Sequence, residues 1–574
     1  LIELAEVKIA AASLPAAAAL LDRALGPEVR KTLDATEEAR ASMLRGRLLA
    51  SQHDSKQAEV AFDRAVTLDP GSIDIRAAYG AFRLQRREYD KAARQFDAAL
   101  SSPEVPATVL GDAARAFLHV NRWVEADKRA GEAVAKDPGN ARLIFVQARV
   151  AEVLGKGDEA GKLYDKALAK APDLAEALIA KGELAFARGE KGKAQEALDQ
   201  ALKAPEARRS ASDYEGIGDL SLSLGDTARA KEAFTSALRL DPEDPQAHAG
   251  LGRALAALGN LKGARDELEQ ALRQTDSDAS MHYQYGSLLR RIGESDNALA
   301  ALQKAVALDG KDARYHARLG ALLVERRDFE KAEEQLKLAT LADDNLAEAW
   351  FFLGRARAGL KRLAEAVDTM KRAVEIEPAN AEYLYHLGLI YEVGQQVQDA
   401  VDSFHKSLAR SPKNPDAYEH LGSNLMVQNR YIEAADAFRQ AAQLAPNRAM
   451  LWALLGDAMQ QAGELDGAIG NFIRALRQDP TLRGVWTKLG VAYKDKACST
   501  CKTHAIESLR RATQVDAKDA PAWHELGYLY KEEARRADSI AAFRKYLELR
   551  PDSVDAETVH DEIYYLQEES RRAP

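Results

Sequence analysis

The sequence predicts an all-α fold of repeated antiparallel helix pairs, and three observations carry that prediction. The first is composition: charged residues make up 29% and aromatics 6%, so Ala, Leu, Glu, Arg and Lys dominate, and these are helix formers. The second is a beat in the small residues. Gly182, Gly218, Gly252, Gly286, Gly320, Gly354, Gly388, Gly422, Gly456, Gly490 and Gly527 recur mostly at 34-residue steps. A second series, from Ala58 and Ala92 through Ala434 and Ala468, keeps the same step. The third is punctuation, with Asp-Pro pairs at Pro70, Pro138, Pro242 and Pro480 closing units. Proline cannot continue a helix, yet it suits the first turn of the next one.

Each unit follows one logic. A first helix carries apolar residues at helical spacing, as in Trp452, Leu455 and Met459, and a second reads Ala468, Phe472, Ala475 on one face. A small residue on the first helix admits the second, and the alanine opposite it does the same in return. In order along the chain, residues 1–38 read as a degenerate or truncated repeat and a linker. Residues 39–208 and 211–553 read as two runs of units, about fifteen in all, parted by a two-residue insertion within 203–212. Residues 554–574 read as a capping helix and tail, with Val559, Ile563 and Leu566 on one face and charges elsewhere. Leu1 falls inside a helical pattern, so the numbering is expected to begin within a longer protein.

These units resemble tetratricopeptide repeats (TPR), whose W-x-x-L-G-x-x-Y pattern followed by A, F, A and P is met closely at 449–482 and 415–448. The resemblance covers nearly the whole chain and is similar to long bacterial arrays. It implies a right-handed superhelical solenoid with the first helix of each pair lining a concave groove. It further implies a scaffold or adaptor that accepts a partner peptide or helix in that groove. An envelope, secretion, pilus or motility assembly is the expected setting, with periplasm or envelope preferred to cytoplasm. The fold alone hosts many unrelated interactions.

Groove positions on first helices offer Arg47, Arg115, Phe145 and Arg149 early in the chain. Tyr283, Arg290, Arg291, Phe351, Arg355, Tyr385, Glu392 and His420 follow within 279–427, the stretch expected to bind partners. Aromatic and guanidinium side chains dominate interfaces because they bury area and still offer polar contacts. The Lys-x-x-x-Asn pattern of the chaperone-binding members is missing from these positions. Net charge is −9 and spread along the chain, which argues against nucleic acid as the main partner. No apolar run approaches the roughly 20 residues of a membrane span.

Several constellations tempt a different reading. His248, His282 and His316 stand 34 apart, as do His386 and His420, one per unit. Neighbouring units lie roughly 10 Å apart, whereas a metal holds its ligands at about 2 Å. Trp350, Trp452, Trp486 and Trp523 share the unit position of the first three histidines and read as core packing, while Trp123 lies in a turn. Carboxylates such as Glu330 and Glu334 sit near Lys331 and Lys337 on solvated faces. There is no phosphate loop, nucleophile elbow or H-E-x-x-H, so neither enzyme activity nor a cofactor is expected.

Cys498 and Cys501, the only cysteines, lie in KDKACSTCKTHAIESL, a three-residue expansion between the helices of unit 483–519. A zinc site has at most Cys498, Cys501 and His504, with Asp495 in reserve. A haem attachment normally reads C-x-x-C-H, and this reads C-S-T-C-K. A thioredoxin-like couple lacks its neighbouring strand. A local disulfide and an inert reduced pair complete the readings, divided by whether the compartment oxidises. Two alternatives to the scaffold therefore stand: a redox- or metal-responsive module at this loop, and self-assembly through an open edge at 1–26.

Overall fold

The computed structural model describes residues 1–574 except 12, 53, 102–103, 207–208 and 573–574. Thirty-four helices, α1 (Ile2–Ala10) to α34 (Ala556–Arg572), are found among the described residues; apart from the single turn α3 (Pro27–Arg30) and the closing α34, they pack on their chain neighbours in successive antiparallel pairs. The chain forms two compact units, Leu1–Leu308 and Asp309–Pro574. The boundary expected near 208–211 falls inside the first. There α12 (Ala175–Ala187) packs on α14 (Ala211–Leu224), so the stack continues past the insertion, of which residues 207–208 lie outside the described residues.

The small-residue beat has a direct packing cause. A Cβ on Gly456 would meet the Phe472 ring at 2.7 Å and the Ala468 carbonyl at 3.2 Å. One on Gly286 would meet Leu302 Cγ at 2.7 Å. The glycine thus admits a large side chain from the second helix, and Phe472 and Ala468 are fully buried as a result. A second regularity lies in the turn between the two helices. One residue there adopts left-handed φ in unit after unit: glycine at Gly155, Gly225, Gly293 and Gly463, but Arg87, Asn121, Arg327, Lys361 and Gln395 elsewhere. At the chain's end, Val559, Ile563 and Leu566 of α34 bury against Phe543 and Tyr546, while Tyr564 and Tyr565 stay exposed.

Candidate functional site

The positions shared by tryptophan and histidine are structural fasteners. Nε1–H of Trp350, Trp452, Trp486 and Trp523 donates to the carbonyl six residues back, at Asp344, Pro446, Pro480 and Ala517, at 2.9–3.1 Å. His248, His282 and His316 do the same with Nε2–H, to Pro242, Asp276 and Gly310, each at 3.1 Å. An indole and an imidazole are interchangeable here because each puts a ring N–H at the same reach. Only Trp452 is buried among the four tryptophans; the other three are half-buried beside the loop, which corrects the expectation of full core packing. Trp123 opens its helix, α9 (Trp123–Lys136), and is about half exposed.

The expected partner-binding residues fall in both units. Tyr283, Arg290 and Arg291 lie on α18 (Ala279–Ile292) of the first, where Arg291 donates to the Ala256 carbonyl at 3.3 Å. The other five lie on α22 (Ala347–Gly359), α24 (Ala381–Val393) and α26 (Pro415–Val427) of the second. Phe351 differs from expectation. It is 2% exposed, stacked on Tyr383 at 4.7 Å with His386 edge-on at 5.1 Å, so it forms a floor rather than a contact face.

Arg355 lies over Phe351 and Phe352 at 5.5 and 5.4 Å from their centroids, and burial holds its pKa below the usual arginine range. Burial, and then Arg355, also push His386 down to about 4, so that ring is neutral at pH 7. His420 runs the other way: its bond to Glu392, 2.9 Å away, raises it. The Tyr385 ring stands 5.9 Å from Phe404 and 6.0 Å from His420. Exposed Val393 and Val427 close the helices beside it. The second unit thus carries a half-buried band of aromatic, imidazole and guanidinium groups on three successive first helices.

Two charged centres escaped the sequence reading. Glu333, on α21 (Phe329–Ala342), is 7% exposed and takes Arg362 at 2.6 Å, Lys337 at 2.9 Å and Arg357 at 3.3 Å. Burial opposes its ionisation, yet the three cations hold the carboxyl at about 2. Lys331 pairs with Asp328 and Lys337 with Glu333, rather than with the Glu330 and Glu334 named from sequence. The other centre is Glu215, met by Arg87 from 128 positions away. Partners this remote leave no local pattern to find.

The cysteines are joined, Cys498 to Cys501, with Cα atoms 4.9 Å apart. Their loop links α30 (Val485–Lys496) to α31 (Cys501–Val515). Cys501 is buried, Cys498 is exposed, and His504 stacks on Tyr493 at 5.1 Å. With both sulfurs bonded to each other, neither is a thiolate ligand in this state.

A stack of helix pairs fastened one to the next defines a helical-repeat protein. Tetratricopeptide repeat profiles match residues 317–381, 415–448 and 520–553. The chain is a tetratricopeptide repeat protein. Residues 129–341 also match the C-terminal domain of cilia and flagella-associated protein 70. Similar solved structures include YrrB, described as a TPR protein with an unusual peptide-binding site. It is 25% identical, covering 33% of this chain and 96% of that one, with a TM-score of 0.28. The APC/C hetero-tetramer Cut9-Hcn1 is 15% identical over 91% of this chain and 96% of that one, at 0.31. Yeast Tom70 is 14% identical over 81% and 96%, at 0.29. No curated protein matches the sequence. Among the described residues, no helix is long and apolar enough to cross a membrane.

Proposed function

We propose that this chain is a scaffold that binds partner polypeptides, an extended peptide or a helix, on the first-helix face of its second unit. The observation that carries this reading is the band formed by Arg355, Tyr385, Glu392 and His420 over the Phe351 floor. Such groups are half-desolvated before any partner arrives, so little ordering is required on binding. Aromatic rings supply area, and the guanidinium and the imidazole–carboxylate pair supply direction. The face of α18 with Tyr283, Arg290 and Arg291 belongs to the same proposal as a second contact region. The Ala/Arg/Leu-rich units support a place in a bacterial multi-protein assembly of the envelope, secretion, pilus or motility kind. The Cys498–Cys501 bridge supports a staple that shapes a surface knuckle.

The test is affinity purification of the full chain beside an Arg355→Ala, Tyr385→Ala, His420→Ala triple variant, with helicity and melting matched between the two. Specific partners should disappear from the variant. Retention of every partner by a folded variant would refute the assignment of this face.

A further inference from the structure

Arginines on the first helices of the first unit find carboxylates by register. Arg149, on α10 (Ala141–Val153), meets Glu183 on α12 at 3.4 Å, and Arg253, on α16 (Pro245–Ala257), meets Asp219 on α14 at 2.6 Å. Each bond crosses 34 positions, so donor and acceptor hold the same place on neighbouring first helices. Arg355 holds that place on α22, directly after the small residue Gly354, as Arg149 follows Ala148 and Arg253 follows Gly252. Its counterparts 34 positions away on either side are Ala321, on α20 (Ala313–Glu325), and Leu389, on α24. Neither offers a side-chain acceptor.

Among the described residues, Arg355 has no hydrogen bond and no ion pair; its contacts are the Phe351 and Phe352 rings. A ring attracts a guanidinium without accepting its N–H bonds, so five donors are left to solvent. Every other half-buried arginine described in the second unit is paired with a carboxylate, from Arg318 with Glu348 at 3.2 Å to Arg536 with Glu569 at 3.2 Å. Glu325, closing α20, and Glu382, in the first turn of α24, act on Arg355 through space without bonding it, and burial outweighs both. A cation held half out of water with no acceptor gains from an anion that reaches it.

We propose that Arg355 is the anchor for a carboxylate side chain, Glu or Asp, inside the partner segment that lies on the band of the second unit. This deepens the scaffold reading and rests on it, naming one residue class in the bound polypeptide. The partner's carboxylate takes the place that Glu183 and Asp219 fill within the first unit. Glu325 and Glu382 repel a dianion more than a monoanion, and the neutral His386 supplies no second cation, so a carboxylate fits better than a phosphate. First helices continue on both sides of Arg355, as α20 and as α24 with α26, so a segment crossing it meets it with a side chain and not with its end.

The experiment pans the purified full chain against a random dodecapeptide library displayed on phage. Enriched sequences are remade as labelled, acetylated and amidated peptides and measured by fluorescence anisotropy. Peptides whose binding depends on Tyr385 and His420 should share a Glu or Asp at one aligned position. Glu→Gln there should weaken binding about 10-fold, and Arg355→Gln should weaken the Glu peptide equally while leaving the Gln peptide unmoved. Leu389→Glu, which offers Arg355 an internal carboxylate as Glu183 does for Arg149, should also weaken the Glu peptide, and Leu389→Gln should weaken it less. Helicity and melting are matched across the variants. Enriched peptides that lack the acidic position, an acidic preference that survives Arg355→Gln, or Glu replaced to advantage by phosphoserine or by a free carboxyl terminus each overturn the proposal. Peptides that need Tyr385 and His420 but ignore the charge of Arg355 strike this inference alone. Failure of any peptide to depend on Tyr385 and His420 strikes the scaffold reading beneath it as well.

Discussion

At the scale of single residues, buried charge decides more than exposed charge does. Glu333 is nearly enclosed and answers three cations, so Glu333→Gln should cost about 2–3 kcal/mol, measured by chemical denaturation at pH 7. Its carboxyl lies at about 2 when folded, below the ordinary glutamate value of 4.5. The stabilisation is therefore complete above pH 4.5 and is lost as pH falls from 4.5 towards 2. Glu215 has the opposite sign. Its folded value of about 8 exceeds the unfolded 4.5, so the native state holds the extra proton and stability declines as pH rises from about 4.5 to 8. In Glu215→Gln that slope should flatten by on the order of 1–3 kcal/mol across the window, read from melts at pH 5 and pH 9. The ring fasteners make a cleaner comparison. Trp486→Phe removes the donor to the Pro480 carbonyl and should cost about 1 kcal/mol. Trp486→His keeps a ring N–H at the position where His316 already serves, and should restore that bond.

At the scale of the helix pair, turn geometry sets what can be improved. Arg327 and Lys361 hold left-handed φ near 62° without being glycine. Arg327→Gly should therefore stabilise by about 0.5–1 kcal/mol, and Gly293→Ala, at φ 94°, should destabilise by a similar amount in thermal melts. The helix pairs themselves were legible in the sequence because their causes are local. The glycine that receives Phe472, the alanine beneath it and the proline that restarts the chain all recur at one spacing. The charge partners were not legible. Lys331 has Asp328 and Glu334 each three positions away, and only the rotamer decides between them. Glu333 draws Arg357 and Arg362 from 24 and 29 positions away on the next pair, among many candidate cations. Phe351 was misread for a related reason: its helix position is right for a binding face, but the neighbouring rings of Tyr383 and His386 cover it.

At the scale of the whole chain, the Leu1–Leu308 and Asp309–Pro574 units each hold many nearest-neighbour interfaces and few long-range ones. Unfolding in urea should therefore spread over more than one transition, with far-UV signal and Trp fluorescence failing to coincide; a single coincident transition would contradict nearest-neighbour coupling. The boundary between the units was not legible, because the 34-residue beat runs through it unchanged. The remote bond of Arg87 was invisible for a different reason, since it depends on how far successive pairs rotate, and no single unit records that angle. The ring-to-carbonyl bond has a bearing on the history of such a chain. It closes within seven consecutive residues, so each pair that carries the ring holds its own closure. Gene duplication or loss in steps of 34 residues leaves each closure intact, so array length can drift with little penalty. An odd-sized insertion survives where it misses that seven-residue segment, as the loop of Cys498 and Cys501 does.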